Sequence, residues 1–135
     1  EEGAAAEPDA PEHGTEVILL AEDEGAMRRM TKTALEEFGY KVIEAVDGED
    51  AVNKFLEHKD SIRLLLFDLI MPKKNGKEAY EEIKKITPDT KVIFTSGYSH
   101  DIIGQKSLLE KNMQLILKPF SLVALLKKVR EELDR

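Results

Sequence analysis

The sequence contains no cysteine and no tryptophan. Without a thiol it can hold neither a disulfide framework nor a thiolate-bound metal, and it suits a reducing compartment. No apolar run reaches the roughly 18 residues that a membrane span needs. No secretory signal pattern is present. The chain is therefore expected to be cytoplasmic and to make no membrane contact of its own. A strong charge excess is also missing where it would matter. The formal charge is −7, but residues 1–15 carry five acids (Glu1, Glu2, Glu7, Asp9, Glu12) and no Lys or Arg. The remainder holds 22 acids against 20 bases. A nearly neutral domain gives no ground for nucleic-acid binding. An initial Met is absent as well, which is expected of a piece of a longer chain.

What is present fits one domain. The chain has 135 residues, of which 41% are apolar, enough for a sizeable core. Residues 1–15 (EEGAAAEPDAPEHGT) lack a large apolar side chain and are expected to form a disordered acidic linker. From Glu16 onward, short apolar runs alternate with helical periodicity. Val17–Ala21, Lys41–Ala45, Arg63–Phe67, Lys91–Phe94 and Met113–Leu117 read as strands; the continuous run RLLLF suits a strand buried on both faces. Helices are expected over Gly25–Phe38 (apolar face Met27, Met30, Ala34, Phe38; stop at Gly39) and from the cap Asp47 (Ala51, Val52, Phe55, Leu56). Three more follow: Lys77–Ile86 (Ala79, Ile83, Ile86), a weaker one over Asp101–Leu109, and one capped by Ser121 (Leu122, Leu125, Leu126, Val129, Leu133). Five strands alternating with five helices predict an α/β, (βα)5 doubly wound parallel sheet with right-handed crossovers. Chemistry in such a fold sits outside the carboxyl ends of the strands.

Those ends carry a distinctive set. Glu22, Asp23 and Glu24 follow the first strand, Asp68 the third, Thr95 and Ser96 the fourth, and Lys118 the fifth. An acid ending RLLLF is costly without a purpose. Carboxylates gathered on one rim repel unless a cation joins them, and hard oxygen donors suit Mg²⁺. A carboxylate can attack phosphorus and form an acyl phosphate. Charge then spreads over the phosphoryl oxygens, where Lys118, the Thr95 hydroxyl and backbone N–H groups could receive it. The catalytic candidates are Asp68, Lys118 and Thr95.

The stretches ILLAEDEGAMRRM, LLLFDLIMPKKNG, VIFTSGYS and LILKPFS run in order through residues 16–135. Together they resemble the receiver domain of two-component response regulators and hybrid sensor kinases, a flavodoxin-like fold. The resemblance implies a sheet order 2-1-3-4-5 and a phosphoryl group passed from phosphohistidine to Asp68. It implies Mg²⁺ held directly by Asp23 and Asp68, through water by Glu22, and by the Ile70 carbonyl. It also implies a Thr95 that moves on activation and a cis Lys118–Pro119 bond. A histidine kinase or histidine phosphotransfer domain would dock on the first helix, including Met27, and on the Lys118-Pro119-Phe120 loop; a weak homodimer stays open. The acidic linker, the TSGYS stretch and the ending KKVREELDR most resemble the C-terminal receiver of a hybrid sensor histidine kinase. A stand-alone response regulator is the alternative. The domain itself would catalyse only its own phosphorylation and dephosphorylation, any kinase activity belonging to the parent chain.

Other readings of the residues weigh less. A binding module of the same fold without phosphorylation has no use for Asp23, Asp68, Thr95 and Lys118 together. An Asp-nucleophile phosphatase would need a second Asp where Ile70 stands, and a flavin site would need a phosphate loop after the first strand. His13, His58 and His100 lack metal or catalytic spacing, and Arg28 and Arg29 read as a solvated face. Glu24 suits a helix N-terminus, Ser96 or Ser99 a cap, and Gly76 a positive φ in the loop after Met71-Pro72. Three departures from the family pattern stand out. Glu22 replaces a commoner Asp, and Leu115 replaces an aromatic, so the readout of phosphorylation is expected in Tyr98–Leu109. Ile70 cannot hold a hydrolytic water, so a long-lived acyl phosphate is expected.

Overall fold

The computed structural model describes residues 11–97 and 113–135. Nine elements follow in chain order: β1 (Val17–Ala21), α1 (Gly25–Glu37), β2 (Lys41–Ala45), α2 (Gly48–His58), β3 (Ile62–Asp68), α3 (Gly76–Ile86), β4 (Lys91–Ser96), β5 (Gln114–Leu117) and α4 (Leu122–Leu133). The expected helix over Asp101–Leu109 lies outside the described residues, as do Tyr98, Ser99 and His100. All strand pairs are parallel, in the order β2-β1-β3-β4-β5.

The run RLLLF is continuous because β3 is covered on both faces. Successive side chains of a strand point to opposite sides. Leu65 and Phe67 join Leu19, Phe55, Ile83 and Phe94 in one core layer beneath α2 and α3. Leu64 and Leu66 join Ile18, Leu20, Leu35, Ile93, Leu125 and Val129 in the other, beneath α1 and α4. Each such fully buried Leu, Ile or Phe stabilises the fold by about 1.5–3 kcal/mol relative to exposure.

The helix ends follow local chemistry. Asp47 caps α2 by accepting from Asp50 N–H at 2.7 Å, and Ser121 caps α4 by accepting from Ala124 N–H at 2.9 Å. A capping box of Asn75 and Glu78, not anticipated from the sequence, starts α3 one residue earlier than expected. Gly39 ends α1 with φ +99°.

Three expected core residues face out: Met30 and Leu56 are each 48% exposed, and Ile86 is 44% exposed. In α1 the covered stripe runs through Thr31, Ala34 and Leu35, and Met30 sits one residue-step of about 100° to its side. Two strands also run further than their apolar runs, because the ladder continues through polar residues: Asp68 stands opposite Thr95, and Ser96 opposite Leu117.

Contacts to the domain begin ahead of Glu16. Gly14 N–H donates to Phe38 O at 2.9 Å, and the His13 ring lies 4.7 Å from that of Phe38. Glu16 itself is gripped by Arg130 at 2.7 Å.

Candidate functional site

Parallel strands deliver their carboxyl ends to one edge of the sheet, and five of the expected residues meet there. Glu22, Asp23 and Asp68 each present an oxygen within 4.8 Å of the other two. Lys118 Nζ donates to Glu22 Oε1 at 2.7 Å and to Asp68 Oδ2 at 3.1 Å. Ile70 stands beside them, 50% exposed, and its N–H donates to Asp68 Oδ1 at 3.3 Å. These groups border an open cleft of about 640 Å³ that extends to Met27, Gly97 and Pro119. The Lys118–Pro119 peptide is cis, as the resemblance implied.

The backbone around each group explains its placement. Glu22 continues the β1 ladder through its N–H to Ala45 O, and its own carboxylate accepts from Glu24 N–H at 3.2 Å. Glu24 itself occupies the α1 N-cap position but makes no side-chain cap bond. Asp68 closes β3, and the ladder carries on beyond it through Leu69 N–H to Thr95 O at 2.9 Å. Lys118 N–H donates to Ser96 O at 2.7 Å, which holds the start of the Lys118 side chain against β4. Thr95 is only 4% exposed. It is the strand partner of Asp68 but does not line the cleft, whose wall at the end of β4 is Gly97.

Two of these carboxylates are buried, Glu22 at 4% and Asp68 at 6% exposure, while Asp23 is exposed. Burial pushes the Asp68 carboxyl up to about 6, the neighbouring Glu22 charge adds to the rise, and Lys118 opposes it. Asp68 still carries its charge at neutral pH. For Lys118, burial disfavours the ammonium, but its bonds to Glu22 and Asp68 outweigh that and raise its pKa above the ordinary value. Three acids sharing one ammonium leave the cluster short of positive charge. All-oxygen donors of this kind fit a hard divalent cation better than a soft one.

Two expectations are corrected here. Gly76 does not supply a positive φ; Lys73 does, at +67°. Gly76 is required instead for close approach, since a Cβ there would stand 2.3 Å from the Asp68 carbonyl oxygen. Arg28 is not part of a solvated face. Its side chain is 15% exposed, its Nη1 donates to Glu22 O at 2.8 Å, and its Nε donates to Glu44 Oε1 at 3.2 Å. The signal was a charge in mid-strand: Glu44 interrupts the short β2 run KVIEA and needs a partner from the adjacent helix. Arg29 remains exposed. His13 and His58 are exposed too.

No described helix is long and apolar enough to cross a membrane. Residues 18–130 match the family model of the response regulator receiver domain. The sensor kinase CckA of Brucella abortus is 34% identical over 90% of this chain, which spans 13% of that protein. The response regulator receiver protein CpdR of the same organism is also 34% identical, over 86% of this chain and 95% of its own length. Among solved structures, the receiver domain of the hybrid histidine kinase CckA superposes with a TM-score of 0.73 at 29% identity, covering 87% of this chain and 98% of that one. With its five parallel strands in order 2-1-3-4-5 and its acidic cluster beside a lysine, the chain belongs to the response regulator receiver domain family.

Proposed function

We propose that Asp68 is the phosphoacceptor of this receiver, taking a phosphoryl group from a partner's phosphohistidine. The observation that carries this reading is the meeting of Glu22, Asp23, Asp68 and Lys118 at the carboxyl edge of the sheet. An Asp68 carboxylate oxygen forms the new bond to phosphorus as the P–N bond to the donor ring breaks. The electron pair of that bond stays on the imidazole, whose other nitrogen already carries a proton, so the ring departs neutral. Asp68 needs no general base, since it is ionised at neutral pH.

Mg²⁺ would be held by Asp23, Asp68 and the Ile70 carbonyl, with Glu22 acting through water. When bound, it supplies positive charge against the phosphoryl oxygens. Lys118 provides a second cation, exchanging part of its bond with Asp68 for a phosphoryl oxygen. The Thr95 hydroxyl accompanies it once Thr95 moves from its buried position. Ile70 has no polar side-chain atom with which to orient a hydrolytic water, so the acyl phosphate is long-lived. Ile70→Asn should shorten its lifetime, and an unchanged lifetime would count against that role.

The phosphodonor, a histidine kinase or histidine phosphotransfer domain, would approach over Met27 and Pro119, which flank the cleft. An apolar anchor with a charged rim suits a transient interface. Phe120 packs partly into the core and so offers that partner less surface. The acidic residues 1–15, whose last part docks on the end of α1 through His13 and Gly14, serve as a linker to the preceding part of a hybrid sensor histidine kinase in the cytoplasm. The similarity to a sensor kinase supports that context, and the equal identity to CpdR supports a stand-alone regulator instead.

The test is intact-mass measurement after incubation with a small phosphodonor and Mg²⁺. One added phosphoryl group in the wild type, and none in Asp68→Asn, is expected. No gain from any donor would favour a binding module that works without phosphorylation.

A further inference from the structure

We infer that Gly48, at the first turn of α2, is a positioning residue for the loop that follows Asp68. The inference rests on the function proposed above in one respect only: it takes the loop's Ile70 backbone to matter for phosphoryl transfer.

The loop Leu69–Asn75 is short and bent. Lys73 holds a left-handed φ of +67°, a conformation that a non-glycine residue keeps only where its surroundings impose it. Lys74 N–H reaches back to Pro72 O at 2.7 Å. Gly76 N–H returns to Leu69 O at 3.0 Å, which closes the loop. One side of this loop rests on α2. A Cβ on Gly48 would lie 1.9 Å from the Lys74 carbonyl oxygen, 2.5 Å from its carbon and 2.8 Å from the Lys74 Cβ. Two of those three atoms are backbone, so no rotamer change relieves the clash. The Lys73 ammonium stands over the same turn, 3.9 Å from Asp47 and 3.7 Å from Glu49.

The loop therefore has two seats. Gly76 lets it fold back against the Asp68 carbonyl, and Gly48 lets its far side settle on α2. Between those seats lies Ile70, whose N–H is bonded to the Asp68 carboxylate. A side chain at position 48 would lift Lys74 and tilt the whole loop. That movement shifts Ile70 relative to Asp68 without touching any group that meets phosphate. In this way α2, which contributes no residue to the cleft, sets the geometry of the acceptor loop.

Gly48→Ala is the minimal test, read first in the metal-free protein by backbone NMR. Displaced Ile70 and Lys74 amide signals are expected, with faster exchange at the Ile70 amide. Leu35 and Leu125, in the core layer on the far side of the sheet from this seat, should keep their wild-type shifts. Mg²⁺ titration should then show an affinity lowered by about fivefold, and phosphoryl uptake should slow with it. A variant that only melts earlier, with wild-type Ile70 shifts and Mg²⁺ affinity, would overturn the inference. If Gly48→Ala does not fold, Gly48→Ala/Lys74→Gly lets the carbonyl turn aside. Because that change relieves the clash at Lys74, recovered folding with near-wild-type Ile70 shifts supports the inference, and a double variant that still does not fold overturns it. A wild type that takes neither Mg²⁺ nor phosphate would sink the proposed function while leaving the amide test standing.

Discussion

The two edges of the sheet carry ion clusters of opposite character. At the amino edge, Arg130 meets Glu16 at 2.7 Å and Asp134 at 2.8 Å, with the Tyr40 hydroxyl 3.3 Å away. One guanidinium spreads five donors over two carboxylates, and the Arg130 bond holds the Glu16 carboxyl down at about 2. At the carboxyl edge, one ammonium faces three carboxylates, and Asp68 is pushed up rather than down. The first cluster is satisfied and ties the segment before β1 to α4. The second is left with repulsion that a cation or a phosphoryl group with its cation would relieve. Charge pairing of similar length thus differs in character at the two ends: the number of acids per base, and not the bond distance, separates a satisfied structural joint from a cluster open to a cation.

Substitutions sharpen this contrast. Lys118→Met should have the largest effect. It leaves Glu22 and Asp68 buried without their cation, costing on the order of 3 kcal/mol in the metal-free protein. Phosphoryl uptake should fall by about 100-fold or more, as for loss of one charge-stabilising group in a transition state. Chemical denaturation and the intact-mass assay read the two effects separately. Arg130→Met should cost about 2 kcal/mol yet leave the uptake rate unchanged; a slowed rate would mean that the two edges are coupled. The Glu16 pair adds a pH dependence. Its folded pKa is depressed, so its stabilisation is fully present above about pH 4.5 and is lost as pH falls toward 2. Allowing for solvent screening at a side chain 28% exposed, the loss is about 1 kcal/mol. Denaturant midpoints of wild type and Glu16→Gln should converge across that window, and a constant gap would refute the assignment.

Much of this arrangement was legible in the order of residues. Strands buried on both faces announce themselves as apolar runs, and the residues just past those runs are the ones the fold gathers. Asp23, Asp68 and Lys118 were found that way. Strand ends were harder, since Asp68 and Ser96 are held by ladder hydrogen bonds that apolarity does not register. Helix faces were read to within one residue-step: Met30, Leu56 and Ile86 have the right spacing but sit where no neighbouring element covers them. Arg28 escaped notice because its partners are a backbone carbonyl and a carboxylate on another strand. Gly48 escaped because its contact joins two segments more than twenty residues apart, and a missing side chain leaves no pattern in a sequence. Gly76 shows the same limit from the other side: its need for glycine was seen, but the cause is crowding against Asp68 and not φ.

The smallest predicted effect tests the imbalance at the carboxyl edge most directly. If Asp68 is held in its charged form against burial and the nearby Glu22, a neutral isostere should relieve the fold. Asp68→Asn keeps the shape and leaves Lys118 bonded to Glu22 at 2.7 Å. Metal-free, the variant should therefore be slightly more stable than wild type, by up to about 1 kcal/mol. Mg²⁺ should reverse the order. A ligand that binds only the folded form stabilises it by RT ln(1 + [L]/Kd), about 2.7 kcal/mol at a hundredfold excess over Kd. Wild type gains this and the Asn variant loses most of it. Thermal denaturation of both proteins across a Mg²⁺ series should show their midpoints crossing. If Asp68→Asn is already the less stable protein without metal, Asp68 belongs with Glu16 as a satisfied charge, and the distinction between the two edges fails.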